Sequence, residues 1–445
     1  RPRLSPIEQQ QPAPWAGRRL HLVGIGGAGM SGLALIAAAL GASVTGSDRA
    51  ESAYTARLRE RGIEPLLGHG AANVPAGAEI VHSSAIAPDN PERQVHGIHL
   101  HRADLLAQIA SLRRCLAITG THGKTTTSAM AVTALRGAGM DPSYVVGAEL
   151  RDTGSNAGWG SGQWIVVEAD ESDRSLLKLS PEIALLTNAE LDHHATYSSR
   201  LDLEGTLQRF MASATGDAVV WDRPGLRALC PPGAIAYDAH PRLTPRGSTF
   251  SWGAIEVHLK VPGAHNAVNA AGALTACALT GADPAAAAAA LTGFRGARRR
   301  MERLGATVSG AEVYDDYAHH PTEVAAAIAA ARTLAPRRLV AVFQPHLYSR
   351  TRSLARGFGA ALGAADAIMV LPIYPARERS EDFPGVTGLL VAAAAADAGA
   401  GRSVAWLPGF DAARAHLLET LNEGDLCLLM GAGDIDALGR SLVAR

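Results

Sequence analysis

Cysteine is scarce in this chain. Cys115, Cys230, Cys277 and Cys427 are the only ones in 445 residues, each set among apolar neighbours. None belongs to a C-x-x-C pair, so neither a zinc cluster nor a disulfide framework is supported, and buried thiols are expected. An excess of either charge is also missing: 41 Lys and Arg face 42 Asp and Glu, a formal net charge of -1. Nothing in that balance argues for a nucleic-acid or anionic-membrane partner. Long apolar runs are absent, because the alanine-rich stretches are broken by Gly, Pro or charge before they could cross a bilayer. Residues 1–17 are polar and proline-rich, reading as a loose arm without a signal peptide's apolar core, so a cytoplasmic enzyme is expected. At 47% hydrophobic and 19% charged residues the chain is no disordered polymer. Its length exceeds one ordinary core and predicts two or three domains.

What is present is a repeated pattern: an apolar strand that ends in glycine, acid, amide or histidine. "RRLHLVGIGGAGMSGLALIAAALGASVTGSD" reads as strand, glycine turn, helix and strand, and "EIVHSSAIA" adds another strand, giving a first α/β unit over 18–113. A second, 114–296, runs from "CLAITG" through "GQWIVVEADESD" and "EIALLTNAELDHH" to the helix of "VPGAHNAVNAAGALTACALTGAD". The arginine run Arg298–Arg300 opens a third, 297–445, with "AEVYDDYAHHPTEV", "RRLVAVFQPH", "AIMVLPIY" and "DLCLLMGAGD". The polyalanine near residue 287 reads as a helix packed through small side chains. In open α/β sheets ligands bind beyond the carboxyl ends of strands, where these polar endings fall.

Gly24, Gly26 and Gly29 fit G-x-G-x-x-G between strand and helix, with Asp48 some way on. Such a turn admits a pyrophosphate at the helix N-terminus and an acid on a ribose hydroxyl; NAD and other nucleotide diphosphates both satisfy it. "GTHGKTTT" is a shortened phosphate loop, in which backbone N–H groups cradle phosphate, Lys124 reaches the terminal phosphates and a threonine ligates Mg²⁺. "VEADESD" crowds Glu168, Asp170, Glu171 and Asp173 at a strand end, which requires a cation or donors. "TNAELDHH" adds Asp192 and His193. Asn266 and Asn269 stand one turn apart at a helix start, where both can point the same way or Asn266 can cap. "DDYAHHP" and "FQPHLYSRT" gather Asp315, Asp316, His319, His320, His346, Tyr348 and Arg350. No Ser/His/Asp order or glycosidase carboxylate pair is present.

Nine segments in register from His21 to Ile435 ("GIGGAGMSG", "GTHGKTTT", "EADESD", "TNAELDHH", "GAHNAVNA", "RRMERLG", "DDYAHHPTE", "FQPHLYSRT", "MGAGDI") resemble the Mur ligase family of peptidoglycan synthesis. The resemblance implies an α/β protein of three domains: an N-terminal Rossmann-like domain, a central P-loop ATPase-like domain and a C-terminal Rossmann-like domain. It implies ATP-dependent amide ligation through an acyl phosphate, with ATP and Mg²⁺, on UDP-N-acetylmuramate and L-alanine, by a monomer or homodimer. The UDP-sugar would lie on Gly24, Gly26, Gly27, Ala28, Gly29, Met30, Ser31 and Asp48, with Ser83 and Ser84. ATP would meet Gly120, Thr121, His122, Gly123, Lys124, Thr125, Thr126, Asn266, Asn269 and Arg300. Thr125, Glu168 and His193 would hold metal, and Lys124, Glu168, His193, Arg300 and Asp316 would serve catalysis. His346, Tyr348 and Arg350 would face the alanine and the muramyl carboxylate, and His122 and His320 would also bind substrate. His193 or a histidine of "AHHP" would take the amine's proton. Leu347 and Met301 depart from the family, which has arginine and phenylalanine there. Three readings compete: a nicotinamide oxidoreductase, a phosphate-loop ATPase that moves a partner, and a ligase that joins a preformed tripeptide to the same sugar.

Overall fold

The computed structural model describes residues 13–192, 196–399 and 401–443. The first apolar runs form a five-stranded parallel sheet in the order Leu66–Leu67, Ser43–Asp48, Arg19–Val23, Glu79–His82, His99–His101. Leu20, Leu22 and Val23 are fully buried, as expected for a central strand covered on both faces. Helix Ala28–Ala39 packs on this sheet and also on the hairpin Ser143–Leu150/Ser155–Gly158 of the second unit. Leu22 and Ile36 therefore share one core with Val167 and Leu186.

The second sheet has seven strands, in the order Ile235–Tyr237, Asp217–Trp221, Ile183–Leu186, Arg114–Thr119, Trp164–Glu168, Ser143–Leu150, Ser155–Gly158; the last is antiparallel. Helices Lys124–Gly137, Ala264–Leu279 and Pro284–Leu291 pack together over one face. They approach so closely that a Cβ at Gly137 would sit 2.2 Å from the Ala290 Cβ. This is the small-residue packing expected of the polyalanine. A separate antiparallel sheet, Arg242–Thr244, Gly247–Trp252 and Ile255–Leu259, was not foreseen. Its strands are short, and only Val257 and Leu259 of the last are buried between exposed neighbours, a weak alternation.

The third sheet has six strands, ordered Glu302–Ala306, Glu312–Asp316, Asp425–Met430, Arg338–Phe343, Ala367–Val370, Ser403–Trp406, with only the first antiparallel. Its two faces carry their own apolar clusters, separate from the core shared by the first two units. Cys115, Cys277 and Cys427 are buried free thiols, while Cys230 is half-buried. Among the described residues no helix is long and apolar enough to cross a membrane.

A candidate active site between the three units

Loops beyond the carboxyl ends of all three parallel sheets border one cleft of about 980 Å³, with Ala28, Thr121, Asp170, Asp192, Tyr317 and His346 on its walls. The phosphate loop leaves strand Arg114–Thr119 through Gly120 (φ 127°) and enters helix Lys124–Gly137 through Gly123 (φ 80°). Space as well as conformation demands glycine: a Cβ would lie 2.2 Å from Thr187 Oγ1 at the first and 2.7 Å from Asn269 Oδ1 at the second. Lys124 Nζ donates to the carbonyls of Gly120 (2.6 Å) and Thr121 (3.1 Å) and pairs with Glu171 at 2.8 Å. Burial opposes its charge, but Glu171, Asp170 and Glu168 outweigh that and hold the ammonium above its ordinary range.

The acidic strand end divides. Glu168 accepts from the Thr125 hydroxyl (2.9 Å) and the Gly147 N–H (2.6 Å). Asp170 and Asp173 lie 3.5 and 3.8 Å from Arg102, and Glu171 faces Lys124. So Thr125 Oγ1 and Glu168 stand together as oxygen donors suited to a hard divalent cation, and Asp170 lines the same cleft. His193 lies outside the described residues. Asn269 sits over Gly123, whereas Asn266 Nδ2 donates to Pro262 O (2.7 Å), so the two amides do not act alike. Thr126 is buried at the helix start.

At the N-terminal glycine turn, the amides of Gly24 and Ile25 donate to Ser47 O. The Asp48 carboxylate is occupied by the N–H groups of Gly26 (2.8 Å) and Arg49 (2.7 Å), so it braces the turn. Helix Ala28–Ala39 begins beyond Gly27 without a side-chain cap, leaving its first amides open toward the cleft. Met30's side chain is in the core and Ser31 Oγ donates to Ala28 O, so these two offer backbone at most. Ser83 is half-buried, and Ser84 Oγ donates to Asp173 (3.1 Å). Arg102 was not singled out in sequence, because "HRADLLAQ" has no motif. Yet a Cβ on Gly29 would lie 2.9 Å from its Nη1.

The third unit brings a charged network. Arg350 grips Asp192 through Nε (3.1 Å) and Nη2 (2.9 and 3.0 Å), and its Nη1 lies 3.1 Å from His346 Nδ1. Asp316 accepts from the amides of Met301 and Ala318, each at 2.8 Å; burial nevertheless lifts it to about 6. Burial likewise lifts Asp315 to about 7 against the pull of Arg299. It holds His319 and His346 down at about 4 and about 3, so both are neutral. Tyr348 stacks on Phe383 (5.8 Å between ring centres) and does not line the cleft. Leu347, at φ 69°, does.

His122 is the junction of the second and third units. Its Nε2 lies 3.3 Å from Glu190 and its Nδ1 3.3 Å from Glu323, which is also 3.9 Å from Arg300. Burial disfavours the charged imidazole, but the two carboxylates overcome it and raise His122 to about 9. The ligand atoms of His122, Glu190 and His320 fall within 4.8 Å of one another, although Thr322 Oγ1 already donates to Glu190 at 2.5 Å. A raised histidine stabilises the folded state fully below its ordinary value near 6.5 and loses that contribution as pH climbs through about 9. Thermal melting should therefore fall between about pH 6.5 and 9, and His122→Gln should flatten that fall. Parallel curves for the two proteins would remove His122 from the linkage.

A shortened phosphate loop, oxygen donors beside it and arginines of the third unit on the wall of the same cleft define an enzyme of the phosphate-loop ligase class. The chain belongs to the Mur ligase family: residues 19–114 match its catalytic domain and residues 299–433 its glutamate ligase domain. It is 41% identical to the UDP-N-acetylmuramate–L-alanine ligase of Mycobacterium sp. (strain JLS), over 97% of this chain and 96% of that protein. The ligase of the same description from Rubrobacter xylanophilus is also 41% identical, over 96% of this chain and 100% of that one. Among solved structures, UDP-N-acetylmuramate-alanine ligase from Thermotoga maritima superposes with a TM-score of 0.81 at 26% identity, covering 95% of this chain and 98% of that one. A murein peptide ligase from Psychrobacter arcticus shares the fold, with a TM-score of 0.69 at 24% identity, covering 96% and 98%.

Proposed function

We propose that this chain joins L-alanine to the lactyl carboxylate of UDP-N-acetylmuramate in the cytoplasm, with ATP and Mg²⁺, as a step of peptidoglycan precursor synthesis. The observation that carries this reading is the single cleft onto which Lys124, Thr125 and Glu168 open from one side and Arg300, His319 and His346 from the other. Similarity to ligases of that description supports it. Units 18–113, 114–296 and 297–445 would hold the UDP-sugar, the nucleotide and the amino acid, respectively.

A carboxylate is a poor acyl donor because oxide does not leave. Its oxygen attacks the γ-phosphorus of ATP, the bond to the β-phosphate oxygen breaks, and ADP departs from an acyl phosphate. Lys124 follows the charge on the transferred phosphoryl group, and Arg300 meets it from the third unit. Thr125 and Glu168 would hold Mg²⁺, which neutralises phosphate charge. The amine of alanine then attacks the acyl carbon, phosphate leaves, and the amine's proton passes to a base. His319 is neutral and lines the cleft; the incoming phosphate's negative charge raises its basicity. Closure of the third unit keeps water from the acyl phosphate.

Incubation with UDP-N-acetylmuramate, ATP, Mg²⁺ and L-alanine should release one phosphate per new amide, read by phosphate assay and mass spectrometry. ATP hydrolysis without an amide product would overturn the reading. Glu168→Gln should raise the Mg²⁺ concentration for half-maximal rate by about tenfold or more, the loss of one charged ligand. An unchanged titration removes Glu168 from the metal shell.

A further inference from the structure

Seven arginines line the cleft: Arg49, Arg102, Arg298, Arg299, Arg300, Arg350 and Arg377. Five have a carboxylate partner. Arg102 lies 3.5 Å from Asp170, Arg298 3.5 Å from Glu149, Arg299 2.9 Å from Asp315, Arg300 3.9 Å from Glu323 and Arg350 2.9 Å from Asp192. Among the described residues, only Arg49 and Arg377 of the seven have no such pair. Arg49 follows Asp48 on the N-terminal unit, beside the glycine turn. Arg377 is exposed on the third unit, in the loop after strand Ala367–Val370.

That loop is pinned close to the catalytic histidines. The Leu347 N–H donates to Tyr374 O (2.9 Å), the Tyr374 N–H donates to Pro345 O (2.8 Å), and the Tyr374 ring stacks on His346 (5.8 Å, 11° between planes). The neighbouring acid is directed elsewhere: Glu378 accepts from Ser349 N–H (2.9 Å) and Ser349 Oγ at the start of helix Tyr348–Leu362. Burial first, and then His319, Arg350 and Arg377, hold His346 neutral, which places the Arg377 charge within reach of that imidazole. Beside it Leu347 presents an apolar wall.

An unpaired guanidinium on a cleft wall, next to neutral imidazoles and an aliphatic surface, matches one chemistry: a small amino acid with its α-carboxylate on the cation and its side chain on the wall. We infer that Arg377 binds the α-carboxylate of the incoming amino acid and that Leu347 contacts its methyl group, a reading that rests on the ligase function proposed above. Arg350, which the family resemblance placed near the alanine and the muramyl carboxylate, has its Nε and Nη2 committed to Asp192 and its remaining nitrogen to His346. The planar fork of Arg377 is free to take a carboxylate bidentately, holding the amine in a fixed direction for attack.

Steady-state phosphate release by wild type, Arg377→Ala and Arg377→Lys tests this. Loss of a charge-assisted pair should raise KM for L-alanine about 10- to 100-fold in Arg377→Ala. KM for ATP and UDP-N-acetylmuramate should stay within about twofold, and Arg377→Lys should recover part of the loss. L-alaninamide separates recognition from a structural effect: wild type should strongly prefer L-alanine over it, and Arg377→Ala should lose most of that preference. An unchanged KM for L-alanine, an equal rise for ATP, or a preference for L-alanine retained in Arg377→Ala would overturn the assignment. Wild type that forms no amide with any amino acid instead overturns the ligase reading itself, so the two failures are distinct.

Discussion

Lys124→Ala should lower ADP formation by about a thousandfold or more, since the ammonium meets charge that builds on the transferred phosphoryl group in a water-poor site. The geometry makes this experiment less simple than it sounds. In the free protein Lys124 neutralises Glu171, a carboxylate with no exposed side-chain surface. Removing one member of a buried pair costs about 3–5 kcal/mol of stability, so the variant will melt earlier as well as turn over slowly. Lys124→Ala with Glu171→Gln separates the effects. The double variant should regain most of the melting temperature and none of the activity, a non-additivity confined to stability. Recovery of ADP formation in the double variant would mean that Lys124 acts by neutralising Glu171 and not on phosphate. The three donors of the Lys124 ammonium are taken by Gly120 O, Thr121 O and Glu171, so reaching a terminal phosphate exchanges at least one of them.

How much of this site could be read in the sequence depends on how local each feature is. Gly120, Gly123, Lys124 and Thr125 act through a strand, a turn and a helix that are contiguous, so their spacing declares them. The same holds for Gly24–Gly29. The acidic run "EADESD" was legible as a cluster, but not its division: Glu168 turns to Thr125, Glu171 to Lys124, and Asp170 and Asp173 to Arg102. That sorting is set by which loop tertiary packing brings alongside. Glu190, Glu323 and Arg377 were missed for the same reason, since the partners of the two acids lie far away in the chain and tertiary packing sets the place of Arg377 on the cleft wall. Asn266 and Asn269 show the limit of helical spacing. They share a face by periodicity, yet the first turns back to Pro262 O, because a buried amide at a helix start takes the nearest unpaired carbonyl. The antiparallel sheet at 242–259 was missed because its short strands bury few side chains.

Arg350 and Asp192 carry the second large effect. Their side chains are 5% and 3% exposed, and the pair ties the start of helix Tyr348–Leu362 in the third unit to the loop after strand Ile183–Leu186 in the second. The third unit keeps its own apolar clusters, so breaking this tie should open the cleft before it unfolds either unit. The cost of removing one partner, about 3–5 kcal/mol, corresponds to a factor of about 150 to 5,000 in the open–closed equilibrium. Arg350→Ala and Asp192→Asn should each lower kcat at least a hundredfold and enlarge the radius of gyration measured by X-ray scattering with ATP and UDP-sugar present. Arg350→Lys should recover only part, because an ammonium keeps the charge and loses the fork. Combining Arg350→Ala with Asp192→Asn should cost much less than the sum of the singles, since the second removal acts on a contact already gone. Full additivity, or normal kcat in Arg350→Ala, would show that closure is held elsewhere, as by His122 between Glu190 and Glu323 or by Thr322 on Glu190.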